Sequence, residues 1–407
     1  MSTQTMNDNT NLRKTIESMS DKIKLVDSDH DTGLEMFSYT NCNDEDSLTV
    51  KQCRGVVFYK DELVMKTFPY TPEFHTGDMA NLRNVLEPIF STSQFFESME
   101  GTLIRMFNFK GKWFISTHRK LNAFKSKWGS DETFGNSFKN ALEYEFSTNT
   151  KLSSRLPKGE SSLISKFKTM LCPSKQYMFL VLHSIENRIV CNPPTNPQLY
   201  HVGSFVNGTF DSTDSFGFPR LEQLQFKSIE EMVKFVNSRD PFTSQGVVVF
   251  GPNGENLKVL NTKYQNLADI RGGEANLRLR YFQVRNDRQK EQDLYTLYSE
   301  KSEIFDYCRN LLSTLTQVIY DNYVRRYIKH EFVAVPKQQF LIMKEAHALY
   351  NLDRYKNKIN LDRIYEIIND QSPIFLNRLI REYENPHDKR EHFPNRNFRT
   401  ERKTTYL

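Results

Sequence analysis

Over its first 270 residues the chain alternates short β-like apolar runs with polar breaks; beyond that the apolar positions take a helical period. Residues 1–50 are polar and rich in Asp and Asn, with short apolar pieces at 22–26 and 34–39, which predicts a frayed start followed by edge structure. Residues 53–70 read as a hairpin turning at Lys60-Asp61, and 102–117 as a second turning at Lys110-Gly111-Lys112. A third strand pair is expected from 176–183 and 187–193, joined around Ile185-Glu186. A fourth is expected from 244–251 and 257–261, joined around Pro252-Asn253-Gly254. Helical spacing marks 79–90, ending near Pro88, and 137–146. Residues 228–239 add a Ser cap and an acidic first turn to that spacing.

From 287 to 350 the stretches are long, charged and helical in period, and 361–370 and 372–384 continue the pattern. The domains expected are therefore an α+β body over 1–275, a helical domain over 280–385, and a basic tail over 386–407 with too few apolar residues to pack.

Composition narrows the classes. A hydrophobic share of 38% with 13% aromatics supports real cores, and the 31 Phe and 19 Tyr suit aromatic packing in β structure. A net charge of +5, from 55 basic and 50 acidic residues, permits a nucleic-acid surface without arguing for one. The five Cys, at 42, 53, 172, 191 and 308, form no CxxC and have no ligand-like spacing to His, which points to a reducing compartment and no metal site. The N-terminal stretch has no apolar core of a signal peptide, and no run reaches the ~20 apolar residues of a membrane span. The expected location is cytoplasmic or nuclear rather than secreted.

Four short motifs then follow one another. Cys53-Arg54-Gly55 opens a strand, and Met99-Glu100-Gly101-Thr102 follows Ser98. Asn187-Arg188-Ile189-Val190 comes next, and Gln245-Gly246-Val247-Val248 leads to Leu257-Lys258-Val259-Leu260. This order, across roughly 35–270, resembles the phage-type ATP-dependent RNA ligases of the covalent nucleotidyltransferase superfamily, which also holds DNA ligases and capping guanylyltransferases. The resemblance implies an α+β fold: a nucleotidyltransferase domain of the ligase-adenylation, ATP-grasp-like type, built of antiparallel sheets with helices and followed by a helical C-terminal domain.

In that family a lysine attacks the α-phosphate of ATP, cationic groups balance the transferring phosphoryl, and carboxylates bind ribose and a divalent metal. Here the nucleophile position holds Ser98, the strand Glu falls on Val181, the Glu before the apolar strand falls on Gln245, and the second Lys of Lys-x-Lys falls on Leu260. Arg54, Glu100 and Lys258 remain as vestigial cofactor-binding positions. Four concerted losses imply an inactive centre: a pseudoenzyme with no catalytic residue, no metal and no cofactor. Such a mixture of kept fold and lost chemistry suits a large DNA virus or a mobile element. A bland reading stands beside it, in which Glu100-Gly101 is an ordinary strand start, Lys258 a solvated edge lysine, and Val181 and Leu260 plain strand core.

Between the motifs lies a basic stretch interleaved with aromatics. Arg119, Lys120, Lys125 and Lys127 are candidates for phosphate contacts and Trp128 for base stacking, with a solvated loop as the rival reading. His118 and His183 read as structural histidines, although strand alternation puts His183 on the face of Val181. The expected role is RNA binding or scaffolding of an RNA-processing protein complex, without a membrane. Two alternatives are kept. One is an active ligase using ATP and Mg with another nucleophile, Lys110, Lys112 or Lys120. The other is a structural or protein-interaction component.

Overall fold

A computed structural model describes residues 12–159, 161–182, 188–214, 217–252, 254 and 256–385. Two compact units result, the first ending at Ala275 and the second beginning at Asn276.

The first unit is α+β and carries three sheets. In chain order its strands are β1 (Ile23–Asp29), β2 (Leu34–Tyr39), β3 (Arg54–Tyr59), β4 (Glu62–Met65), β5 (Glu73–His75), β6 (Gln94–Ser98) and β7 (Thr102–Phe109). They continue as β8 (Lys112–Ser116), β9 (Lys175–Leu182), β10 (Gln198–Val206), β11 (Thr209–Asp211), β12 (Gln223–Leu224), β13 (Gly246–Phe250) and β14 (Asn256–Leu260). The sheets run β1-β2-β3-β4, β11-β10-β9-β7-β8 and β12-β6-β13-β14-β5. Every described pairing is antiparallel except β14 with β5, which is parallel.

Turn chemistry explains the hairpins. Lys110 (φ 50°) and Gly111 (φ 82°) both take the left-handed conformation that a two-residue hairpin turn needs, and β7 pairs with β8 from Phe109 opposite Lys112 outward. The helix Phe134–Thr148, capped by Thr133, lays Phe138, Leu142 and Phe146 on the β9 face formed by Tyr177, Phe179 and Val181. The helix Ile229–Ser238, capped by Ser228, buries Met232 and Val236 against Val247, Val249 and Val259.

One expected strand is corrected. No described residue over 188–197 is in a strand, and β9 pairs with β10 and β7 instead. The cause is a tertiary contact: the amides of Ile189, Val190 and Cys191 all donate to the Glu100 carboxylate, so they cannot serve a sheet ladder. His183 and Asn187 lie outside the described residues, as does the tail over 386–407.

The second unit is helical. It comprises Leu277–Val284, Arg288–Leu297, Ser302–Tyr323, Lys337–Leu352, Leu361–Asn369 and Pro373–Glu384. The longest helix packs against Leu361–Asn369 and Lys337–Leu352. Arg278 holds Glu384 through both guanidinium nitrogens, at 2.9 and 3.2 Å.

The Gly of the first motif has a steric reason. Gly55 sits at φ 79°, and a Cβ there would lie 2.6 Å from the His118 carbonyl oxygen and 2.9 Å from Arg105 Nη1. Gly55→Ala is expected to destabilise the fold by about 1–3 kcal/mol or more, because it adds a strained φ to a backbone clash. A denaturant melt reads this out; an unchanged midpoint would show that the approach is loose.

Candidate functional site

A cleft of about 870 Å³ opens between the start of β3, the β6–β7 junction, the segment after β8 and the chain around 188–195. Its cationic wall comprises Arg54, Arg119, Lys127 and Arg188, and Trp128, Phe134 and Leu182 give it an apolar side. Arg54 is steered by its 3.4 Å contact to the Pro69 carbonyl and its 3.3 Å contact to Thr71 Oγ1.

Behind this wall, Arg105 on β7 is fully buried. Its Nη1 donates to the Gly55 carbonyl at 2.7 Å and its Nη2 to the Thr117 carbonyl, so one guanidinium ties β3 to the end of β8. Burial, and then the neighbouring Arg54 charge, pull its pKa down to about 9. His118 faces the same charges. Burial, followed by Arg54, Arg105 and Arg119, pushes its pKa down to about 3, so the ring is neutral at physiological pH.

Adjoining Glu100 on the cleft wall is a chain of side-chain hydrogen bonds. Ser98 ends β6 and pairs with Gly246 of β13. Its hydroxyl donates to Gln245 Oε1 at 2.9 Å, Gln245 Nε2 donates to the Tyr264 hydroxyl at 2.8 Å, and that hydroxyl donates to Glu100 Oε2 at 3.0 Å. Glu100 also accepts the amides of Ile189, Val190 (2.9 Å) and Cys191 (3.1 Å). Ser98, Gln245 and Tyr264 are all buried. Burial first, then the Glu100 charge, raises the Tyr264 pKa, which fixes the phenol as a donor.

This arrangement offers no amine for a phosphoramidate. Gln245 accepts the Ser98 proton but is no base. Glu100 is the carboxylate on the cleft wall, and three amides and a phenol already engage it, so the residues present do not fit a divalent metal. Among the described residues no group of three or more His, Cys, Asp or Glu gathers as metal ligands.

The cleft collects only some of the candidates. Arg54, Glu100, Arg119, Lys127 and Trp128 line it; Lys120, Lys125 and Lys258 do not. Lys120 pairs with Asp27 at 3.2 Å, Lys258 pairs with Glu73 at 3.2 Å, and Lys125 borders a separate pocket beside Lys112 and Asp29. The Trp128 ring carries the Arg271 guanidinium 4.9 Å from its centroid. Of the other proposed nucleophiles, Lys110 sits 3.8 Å from the Tyr59 ring centroid at the hairpin tip, and Lys112 pairs with Asp29 at 2.9 Å.

Val181 is buried in the core under the helix Phe134–Thr148, among aromatic neighbours, and the adjacent Leu182 lines the cleft. Leu260 is buried as well, on a strand of a different sheet.

Arg105, Arg188 and Tyr264 join the site through the fold. A lone Arg inside the apolar run of β7 was the available signal for Arg105, and Arg188 stood inside a quoted motif. Tyr264 had no local signal.

No family model matches the chain. It is 28% identical over 380 residues to an immediate-early protein ICP-46 homolog of Invertebrate iridescent virus 6, covering 87% of this chain and 81% of that one. It is also 28% identical over 333 residues to the ICP-46 homolog of Invertebrate iridescent virus 3, covering 77% and 68%. Among solved structures it is similar to a putative ATP-dependent DNA ligase from Aquifex aeolicus, with TM-score 0.40, 15% identity, and 83% and 87% of the two chains covered. An archaeal ATP-dependent RNA ligase gives TM-score 0.40 and 12% identity, covering 74% and 79%.

Two outcomes follow from the site. Tyr264→Phe removes the link between Gln245 and Glu100 and is expected to cost about 1–3 kcal/mol, read by urea unfolding. A neutral result would mean that water fills the gap. For His118, the unfolded chain takes up a proton near pH 6.5 that the folded protein refuses until about pH 3. Stability is therefore expected to fall as pH drops through that window, and His118→Gln should flatten the slope by up to one proton. An unchanged slope would place the protonation elsewhere.

Proposed function

We propose that the chain is a ligase-like nucleotidyltransferase fold that has lost adenylation and holds RNA through the cationic wall of its cleft. The observation that carries this reading is the hydrogen-bond chain from Ser98 through Gln245 and Tyr264 to Glu100. It fills, with neutral and mutually satisfied groups, the positions where the resembled ligases place a lysine and a carboxylate. Arg54, Arg119, Lys127 and Arg188 remain on the wall beside it. Guanidinium groups suit phosphate through their planar pairs of donors. The similarity to viral immediate-early proteins supports a role early in infection, in the cytoplasm or nucleus of the infected cell.

Incubation with labelled ATP and magnesium, followed by denaturing electrophoresis, should leave no covalent label, and Ser98→Lys alone should not create one. A stoichiometric adduct on the parent chain would overturn the reading. Filter binding of RNA should weaken steeply as salt rises. Arg119→Ala with Lys127→Ala should lower the salt slope by about two. Lys120→Ala with Lys125→Ala, off the cleft, should leave it nearly unchanged. Equal binding by the Arg119 and Lys127 variant would remove the cleft from RNA contact.

A further inference from the structure

The second unit carries a surface of its own. The helix Ser302–Tyr323 ends in a π turn, Val324–Ile328, a geometry that recurs at functional positions. Tyr327 of that turn lies flat on His347 of the helix Lys337–Leu352, with centroids 4.0 Å apart and planes 15° apart. His347 continues onto Tyr350 at 6.1 Å and 27°, and the Arg354 guanidinium lies 5.9 Å from the Tyr350 centroid. This ladder of rings ties the turn Val324–Ile328 to the C-terminal end of the helix Lys337–Leu352.

Both segments are cationic. Each holds three Lys or Arg against one acidic residue. Both acids are engaged: Glu331 pairs with Arg325 at 2.8 Å, and Asp353 accepts the amides of Tyr355 and Lys356 at 3.1 and 3.0 Å. Beside these charges stand two rings in open solvent, Phe332 at 91% and Tyr355 at 92% exposure. Such rings contribute nothing to a core. Lys329 and His330 precede Phe332, and Arg354 and Lys356 flank Tyr355; the exposed aliphatic side chains of the two segments, Ile328 and Leu352, are each followed by a charged residue. Cations spaced with free ring faces match a single strand of nucleic acid, whose phosphates take the charges and whose bases stack on the rings.

We propose that segments 324–333 and 350–358 form a binding surface for single-stranded nucleic acid, with Phe332 and Tyr355 as base-stacking platforms. This surface stands independently of the cleft.

The test uses the full chain and three probes: a fluorescent oligouridylate, an RNA duplex of equal length, and heparin, a polyanion without bases. Phe332→Ala with Tyr355→Ala is expected to weaken oligouridylate binding by roughly tenfold or more. Heparin binding and the melting temperature should stay unchanged, and the duplex should bind more weakly than the single strand. In a chain also carrying Arg119→Ala, Lys127→Ala and Arg188→Ala, the residual oligouridylate binding should depend on the two rings. Unchanged oligouridylate affinity would overturn the proposal. So would equal losses for heparin and oligouridylate, which would leave charge alone. Self-association that disappears with the rings while RNA binding persists would make the surface a protein interface and also overturn it.

Discussion

A carboxylate that receives three successive main-chain amides and a phenol organises the first unit. Glu100 draws Ile189, Val190 and Cys191 out of any sheet and holds them against the start of β7. Through Tyr264 the same carboxylate reaches the helix that follows β14, and through Gln245 it reaches the end of β6. Such charge-assisted bonds in a part-buried setting are strong, and leaving one partner unmet costs more than the bond contributes. The side chain that the motif order suggests for a ligand is thereby given to holding the protein's own chain.

A second tie fixes the cleft's cations. Arg105 bonds only to carbonyls and sulfur among its described partners, and these come from Gly55, Thr117 and Met36. Its position depends on Gly55 having no side chain. With β3 and the end of β8 drawn together, Arg54 and Arg119 emerge on one wall. A buried guanidinium without a carboxylate is costly, and here its charge adds to the field of that wall.

Much of the fold was legible because local chemistry decides it. Lys60-Asp61 and Lys110-Gly111 turn where polar residues interrupt β-like runs, and Ser228 caps its helix as the sequence indicates. The strand expected at 187–193 fails because a distant carboxylate outbids the ladder for its amides, which no local pattern reveals. At Val181 and Leu182 a single position separates core from cleft wall, because one residue of slip exchanges strand faces. Arg54, Arg119 and Lys127 line one cleft, with Lys127 paired to the nearby Asp131, whereas Lys120 and Lys258 are held by acids from β1 and β5, far away in sequence. Tyr264 illustrates the remaining limit, since its role exists only through partners 19 and 164 residues away.

The neutrality of His118 has a consequence for the environment the cleft can sense. The other basic side chains on the wall are guanidinium groups and one lysine. With the imidazole held uncharged down to about pH 3, His118 does not change state between a cytosol and an acidified vesicle. A histidine lining a cleft is the side chain most suited to sensing that difference, and here burial among arginines removes it as a switch.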